Sequence, residues 1–330
     1  LVDELTKHAL ELQRLANNVS DKTIKKEYKK LSDMLSNLAT KHNISDLSNT
    51  GTVKSQKKII KKILSEGSKN IGIVHKKLYE HIQDTLKDVG EIETNFAARS
   101  VNKAVTGAGN IRFMNKSVSD RHISKTANNI ITQGMPQKEL WKRHSEKINN
   151  GFRDIIRNAY SSGEDMATTV GKIAGTRVKG FKDGLMRTSY NQANTLARTS
   201  LLSMSNTIRQ ETYLANRDVL RGMEFLAHLD SRTTTICRAH AGSAWVWMPD
   251  GSLRTVAGGH DYAEPPLHFN CRSTLIPIVK SFQDLDKSKA KLVPKANEKR
   301  LIGQTLPKNK YTDADSWLRT QSKEYQKDVL

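Results

Sequence analysis

Cysteine, proline, aromatic residues and acid are all scarce in this chain, and each scarcity narrows what it can be. Two cysteines in 330 residues cannot build a disulfide-stapled scaffold, and they fit a reducing compartment. Seven prolines leave long stretches free to run as helix. Aromatics make up 6% and hydrophobic residues 36%, which suits helices sharing narrow apolar seams better than one thick core. No apolar run approaches the ~20 residues that span a bilayer, and no signal peptide is visible, so no membrane partner is expected. Acid is short relative to base: 34 Asp and Glu face 54 Lys and Arg, a net charge of +20. Every third of the chain shares that excess, so the expected partner is a polyanion met through backbone phosphates over several surfaces. The polyanion is nucleic acid or a strongly acidic protein face, and no signature for reading bases accompanies the charge, so contact with nucleic acid would be nonspecific.

What is present is mostly helical pattern. Leu5, Leu12 and Leu15, then Leu31, Leu35 and Leu38, recur at helical spacing and predict helices over residues 1–90, with a polar break over 42–53. A second helix is expected around Ile59, Ile60, Ile63 and Leu64, and a third through Val74, Leu78, Ile82, Leu86 and Val89. Lys54, Lys57, Lys58, Lys61 and Lys62 fall on the outer face of the second, a solvated face that is also a candidate for touching phosphate. Residues 100–135 lose the periodicity around Gly107, Gly109 and Gly134 and suggest loops between short helices. Pro136 marks a new helix start, followed by the seam Trp141, Ile148, Phe152, Ile155 and Ile156. Residues 161–165 break that helix and start another, with Met166, Val170 and Ile173 as its apolar positions. A long helix is expected from about Leu185 to Arg217, with Arg187, Arg198 and Arg209 as further candidates for DNA contact.

Beyond it the pattern turns to strand. Residues 223–229 read as extended, and Trp245–Trp247 turn at Asp250 and Gly251 into Leu253–Val256. Thr274–Val279 closes the set, and Pro277 within it suggests a sheet edge. The expected fold is α+β and mainly helical. An elongated helical region would occupy 1–160, a small α+β module with a Cys/His-stapled hairpin 161–280, and an extended basic C-terminal arm with a short helix 281–330.

Chemistry concentrates between Asp230 and Pro277. Cys237 and His240 form a C-x-x-H pair, and His268 and Cys271 form an H-x-x-C pair. Two short-spaced thiolate and imidazole pairs can supply the four ligands of a tetrahedral structural zinc. The same residues are compatible with metal-free buried thiols and hydrogen-bonded histidines, or with a Cys237–Cys271 disulfide, and His260 is a spare ligand. Asp230, Arg232 and Thr233 read as a turn in which the carboxylate caps backbone and pairs with an arginine. Pro265 and Pro266 read as a rigid extended approach to His268. His228, His240 and Glu264 form no recognised acid–base arrangement, so no catalytic residue is assigned. A metal-dependent nuclease is the enzymatic alternative.

These residues, taken in order, resemble the phage head morphogenesis family, the Mu F-like minor head proteins. The elements that carry the resemblance are Arg198-Thr199 on the long helix, Gly222, Asp230-Ser231-Arg232-Thr233, the Cys237/His240 pair, and Pro265-Pro266-Leu267-His268-Phe269-Asn270-Cys271-Arg272. The similarity runs from about Gly163 to Val279. It departs from the family pattern at Ser273, where a second cysteine often stands, and at His240, where many members have cysteine. The resemblance implies a non-enzymatic minor capsid protein of a tailed bacteriophage, assembled in the host bacterial cytoplasm. It would be built into the capsid interior or portal vertex, against portal protein, major capsid protein or further copies of itself. Its role would be in head assembly and genome packaging or delivery. A DNA-binding protein that only guides the genome is a further alternative.

Overall fold

A computed structural model describes residues 2–47, 51–108, 115–256 and 258–281. The fold is α+β and mainly helical, with the strands gathered toward the C-terminal part. The expected C-terminal arm lies outside the described residues apart from its first one. No described helix is long and apolar enough to cross a membrane.

Helix α1 (Val2–Val19) passes through one π turn, Ser20–Ile24, into α2 (Lys25–Lys41), and a single-turn α3 (Ile44–Leu47) follows. Helix α4 then runs from Val53 to Ala108, 56 residues without a break. The two helices expected there, and the loops expected from residue 100, are therefore one element up to Ala108. The reason is visible in the burial: Val74, Leu78, Ile82, Leu86, Val89, Ala97, Val101 and Val105 are all buried, so one stripe continues where the sequence suggested an end. After it come α5 (Asp120–Asn129), the two-residue strands β1 (Ile131–Thr132) and β2 (Met135–Pro136), α6 (Gln137–Ser162), α7 (Met166–Ala174) and α8 (Leu185–Ala215). Gly163, in the left-handed region at φ 60°, ends α6, and Asp165 caps α7 by accepting from the Thr168 amide at 2.8 Å. That is the break expected over 161–165.

The remaining elements are β3 (Leu220–Leu226), α9 (Thr235–His240), β4 (Ala244–Trp247), β5 (Leu253–Thr255) and β6 (Thr274–Val279). The four strands form one antiparallel sheet in the order β5-β4-β3-β6. Strand β4 turns into β5 through the expected Asp-Gly corner, with Trp247 opposite Leu253 and Asp250 accepting from the Ser252 amide at 2.9 Å. Pro277 lies on β6, an edge strand, where its missing amide costs no ladder bond. Gly222 has no room for a side chain against β4: a Cβ built there would lie 1.9 Å from the Trp245 carbonyl oxygen. Gly222→Ala is expected to destabilise the sheet by about 1–3 kcal/mol, as an overpacked interior does. A urea midpoint equal to that of the parent would contradict it.

Contacts group the chain into two units, neither contiguous in sequence. One unit takes Ala16–Asp84 and Met135–Arg198 and is helical. Its core includes Tyr28, Leu31, Leu35, Ile63, Phe152 and Ile156. At its centre the Tyr28 hydroxyl lies 2.6 Å from His144 Nε2 and 3.4 Å from His75 Nε2, all three side chains buried.

The other unit takes Leu1–Leu15, Thr85–Gly134 and the chain from Thr199 on, including the sheet. Its core joins Ala97, Val101 and Val105 of α4 to Tyr213 of α8, and to Met223, Phe225, Trp245 and Leu275 of the sheet. Both cysteines belong to that core cluster. A buried ion pair lies beside it. Glu93, fully buried, accepts from Arg209 Nε at 2.6 Å, from the Ser205 hydroxyl at 2.7 Å and from His8 Nε2 at 2.9 Å. The Arg209 guanidinium also reaches the Thr274 hydroxyl on β6.

Candidate metal centre

The site is built where α9 meets the loop that precedes β6. Thr234 caps α9, its hydroxyl oxygen 3.5 Å from the Cys237 amide, and this fixes Cys237 in the first turn. From the other side, the Cys271 amide donates to the His268 carbonyl at 3.1 Å, a tight turn that brings both side chains of the H-x-x-C pair inward. Asn270 makes that turn at φ 60°, a conformation asparagine tolerates better than most residues. Its amide donates to the Thr199 hydroxyl at 3.0 Å, which ties the loop to α8.

Cys237 Sγ lies 3.1 Å from His268 Nε2 and 3.5 Å from Cys271 Sγ, and both cysteines are buried and unbridged. The three donor atoms lie within 4.8 Å of one another, so Cys237, His268 and Cys271 form a group that can hold a metal ion. The Phe269 carbonyl accepts from His268 Nδ1 at 2.8 Å. Because a carbonyl only accepts, Nδ1 is the donor there, and Nε2 is the ring atom turned to the sulfurs and placed to ligate a metal. The Thr234 hydroxyl lies 2.8 Å from the same Nε2. Either thiol can donate in the sulfur–sulfur contact. The hydrogen bond from Cys237 holds the Cys271 thiol well below the usual thiol range, more than burial raises it, and backbone at Ser273 helps. The bond to Cys271, with burial second, pushes the Cys237 thiol far up.

His240, expected as the fourth ligand, is not in this group. Its Nδ1 donates to the Ile236 carbonyl at 2.9 Å within α9, and its ring stacks on His260 at 4.9 Å. A three-residue step along a helix keeps two side chains on one face, so what holds His240 out of the group is its bond to the Ile236 carbonyl and its stacking on His260. Stacked with His240, the spare His260 is not in the group either.

Asp230 anchors the frame around this cluster. Its carboxylate is fully buried and receives both terminal nitrogens of Arg272, the residue after Cys271, at 2.5 Å each. It also accepts from the Arg232 amide at 2.8 Å, and the Thr233 hydroxyl closes the turn by donating to the His228 carbonyl at 2.6 Å. Burial raises the acid's pKa, but Arg272 outweighs it and holds the carboxyl well below the usual range. The capping turn expected from sequence is there, with Arg272 as the main partner and the Arg232 guanidinium largely exposed at 3.4 Å. The Pro265–Pro266 peptide is cis, where the sequence suggested an extended approach, and the Pro266 carbonyl accepts from Gln133 Nε2 at 2.7 Å.

The candidate DNA contacts divide. Lys54, Lys57, Lys58, Lys61, Lys62 and Arg187 are exposed. Arg198 is exposed but donates to the Asn17 side chain at 2.7 Å. Arg209 is a correction: at 1% exposure and locked on Glu93, it cannot reach a phosphate. The Glu93–Arg209–His8 network was missed in the sequence. Its signal was a carboxylate set in the apolar stripe of α4 and a guanidinium in that of α8.

No protein-family model matches the chain, and neither does any curated protein or solved structure.

Proposed function

We propose that this chain is a structural minor head protein of a tailed bacteriophage, whose sheet-bearing part is stapled by one zinc ion and whose basic faces meet packaged double-stranded DNA. One observation supports the reading above others. Residues that carry the resemblance but lie far apart in sequence converge on one joint: Thr199 holds Asn270, Asp230 holds Arg272, and Cys237 meets His268 and Cys271. A tetrahedral zinc would set the two sulfurs ~3.8 Å apart and sulfur to nitrogen ~3.6 Å. The corresponding distances of 3.5 and 3.1 Å need only a few tenths of an ångström of opening. Cys237, His268 and Cys271 would hold the ion, which would supply a crosslink between α9 and the loop before β6.

The partners proposed are portal or major capsid protein and DNA, with the chain inside the head or at the portal vertex. Mass spectrometry of gradient-purified particles from the phage that encodes the chain should detect it, and its absence from intact particles would overturn the assignment. DNA binding should be indifferent to sequence and fall steeply between 50 and 200 mM salt, as phosphate contacts do. Affinity that ignores salt would contradict it.

A second reading has one observation in its favour. Three protein ligands leave a position for water, the arrangement of catalytic zinc, which is where a metal-dependent nuclease would begin. Against it, the carboxylate that frames the cluster, Asp230, is engaged by Arg272 and by the Arg232 amide. Linear DNA incubated with the protein and Mg²⁺, Mn²⁺ or Zn²⁺ should stay intact. Cleavage that disappears in His268→Ala would establish the nuclease instead.

A further inference from the structure

Two features of the molecule have no role in the site described above. The first is the loop between α7 and α8. Its neck is closed: Asp183 accepts from the Thr176 amide and from the Thr176 hydroxyl, both at 2.7 Å, and the Phe181 amide donates to the Thr176 carbonyl at 2.8 Å. Two glycines make that closure feasible, since a Cβ on Gly184 would lie 2.3 Å from the Gly175 nitrogen. The loop so held displays Val178 at 97% exposure and Phe181 at 56%, the latter at φ 57°, among the exposed cations Arg177, Lys179 and Lys182. Apolar side chains this large, set out on a pinned loop and ringed by charge, mark a contact surface.

The second feature is a cleft of about 550 Å³ between α5, α8 and the Pro265–Pro266 segment. Ile130, Ile131, Pro265 and Pro266 give it apolar wall, and Ile131 is exposed at 53%. Its carboxylates are Glu264, which accepts from Thr207 at 2.9 Å, and Glu211, which pairs with His122 at 3.0 Å through one oxygen while the other is buried without a partner. Lys125 and His122 line it as well. Among its lining residues the Ser203 hydroxyl, 2% exposed, makes no hydrogen bond in the structure. A buried hydroxyl and carboxylate oxygen left without partners ask for a polar group from outside.

We propose that the loop around Val178 and Phe181 of one copy docks into the cleft bounded by Ile131, Glu211 and Glu264 of a second copy, so that the chain associates head to tail. The two surfaces match in kind. The loop offers two apolar side chains with three cations, and the cleft offers apolar walls with two carboxylates and unpaired polar atoms. A cleft of this volume takes a phenylalanine side chain with room for its neighbours. Because loop and cleft are different patches, the contact is heterologous. Successive copies add in one direction, closing as a ring or extending as a filament. The inference is independent of the role in the head proposed above.

The test is sedimentation velocity on the full chain over a range of concentrations, at low and high salt. The parent should associate, less so as salt rises. Val178→Ser with Phe181→Ser should weaken association at least about thirtyfold, the loss expected for a buried aromatic anchor. Ile131→Lys with Glu264→Arg should do the same from the other side. All four positions are exposed, so thermal unfolding midpoints should stay near the parent's and separate loss of contact from loss of fold. Mixing the two double variants is the decisive arm. One keeps an intact cleft and the other an intact loop, so the mixture should form a dimer and stop there. A parent that stays monomeric overturns the proposal, as do loop variants that associate like the parent, or a mixture that remains two monomers. Loop variants that lose affinity for DNA or for anionic vesicles while associating normally would assign the loop to that partner instead.

Discussion

Arg209→Met is expected to lower the stability of the sheet-bearing unit by about 3–5 kcal/mol, because it strands the Glu93 carboxylate as an unpaired buried charge. Glu93 is fully buried, and its acceptors are filled by Arg209, His8 and Ser205. Glu93→Gln should cost a comparable amount by stranding the guanidinium. The double variant should cost clearly less than the two singles together, since removing both charges removes the desolvation that each imposes. Urea unfolding followed by tryptophan fluorescence measures all three. Additive losses would show that the pair is not coupled. The pair also sets an acid limit. Burial would raise the Glu93 pKa, but Arg209 and His8 hold it down to about 2 from an ordinary 4.5. The stability it contributes is therefore full above pH 4.5 and is lost as pH falls toward 2.

Acid should reach the helical unit earlier, through its histidines. Burial pushes His75 down to about 3, helped by the neighbouring charge of His144, and burial with Lys147 pushes His144 down to about 4. Both rings stay neutral in the folded unit while the unfolded chain takes up protons below pH 6.5. Their contribution is thus complete above 6.5 and declines as pH drops toward the folded values. At pH 5 each histidine withdraws about 2 kcal/mol, about 4 for the pair. Unfolding midpoints compared at pH 7.5 and 5 should show this drop, and His75→Gln with His144→Gln should lose most of it. An unchanged pH slope in that variant would contradict the account.

The strands were more legible than the helices. Asp250 and Gly251 announce a hairpin by local turn chemistry, and Pro277 announces an edge by its missing donor. Both rules act within a few residues. The end of helix α4 was set too early because Gly107 and Gly109 look like punctuation in isolation, whereas the buried stripe through Val101 and Val105 carries the helix on to Ala108. At the candidate site, spacing identified Cys237, His268 and Cys271 but not the fate of His240, whose ring is engaged by the Ile236 carbonyl and by His260, a contact that spacing does not display. Arg209 misled for a related reason. A guanidinium on a helix in a basic chain looks like a phosphate contact until Glu93, 116 positions earlier, is brought against it. Partnerships of that range are set by packing, which a single sequence does not display.

The account turns on whether the Cys237, His268 and Cys271 group is a metal staple. Elemental analysis of the full chain, purified under reducing conditions, measures that most directly. The account predicts about one zinc ion per chain, lost in Cys271→Ala and on chelation together with a fall in the unfolding midpoint. A chain that carries no stoichiometric metal, with both thiols reduced and an unfolding midpoint indifferent to chelator, would contradict it.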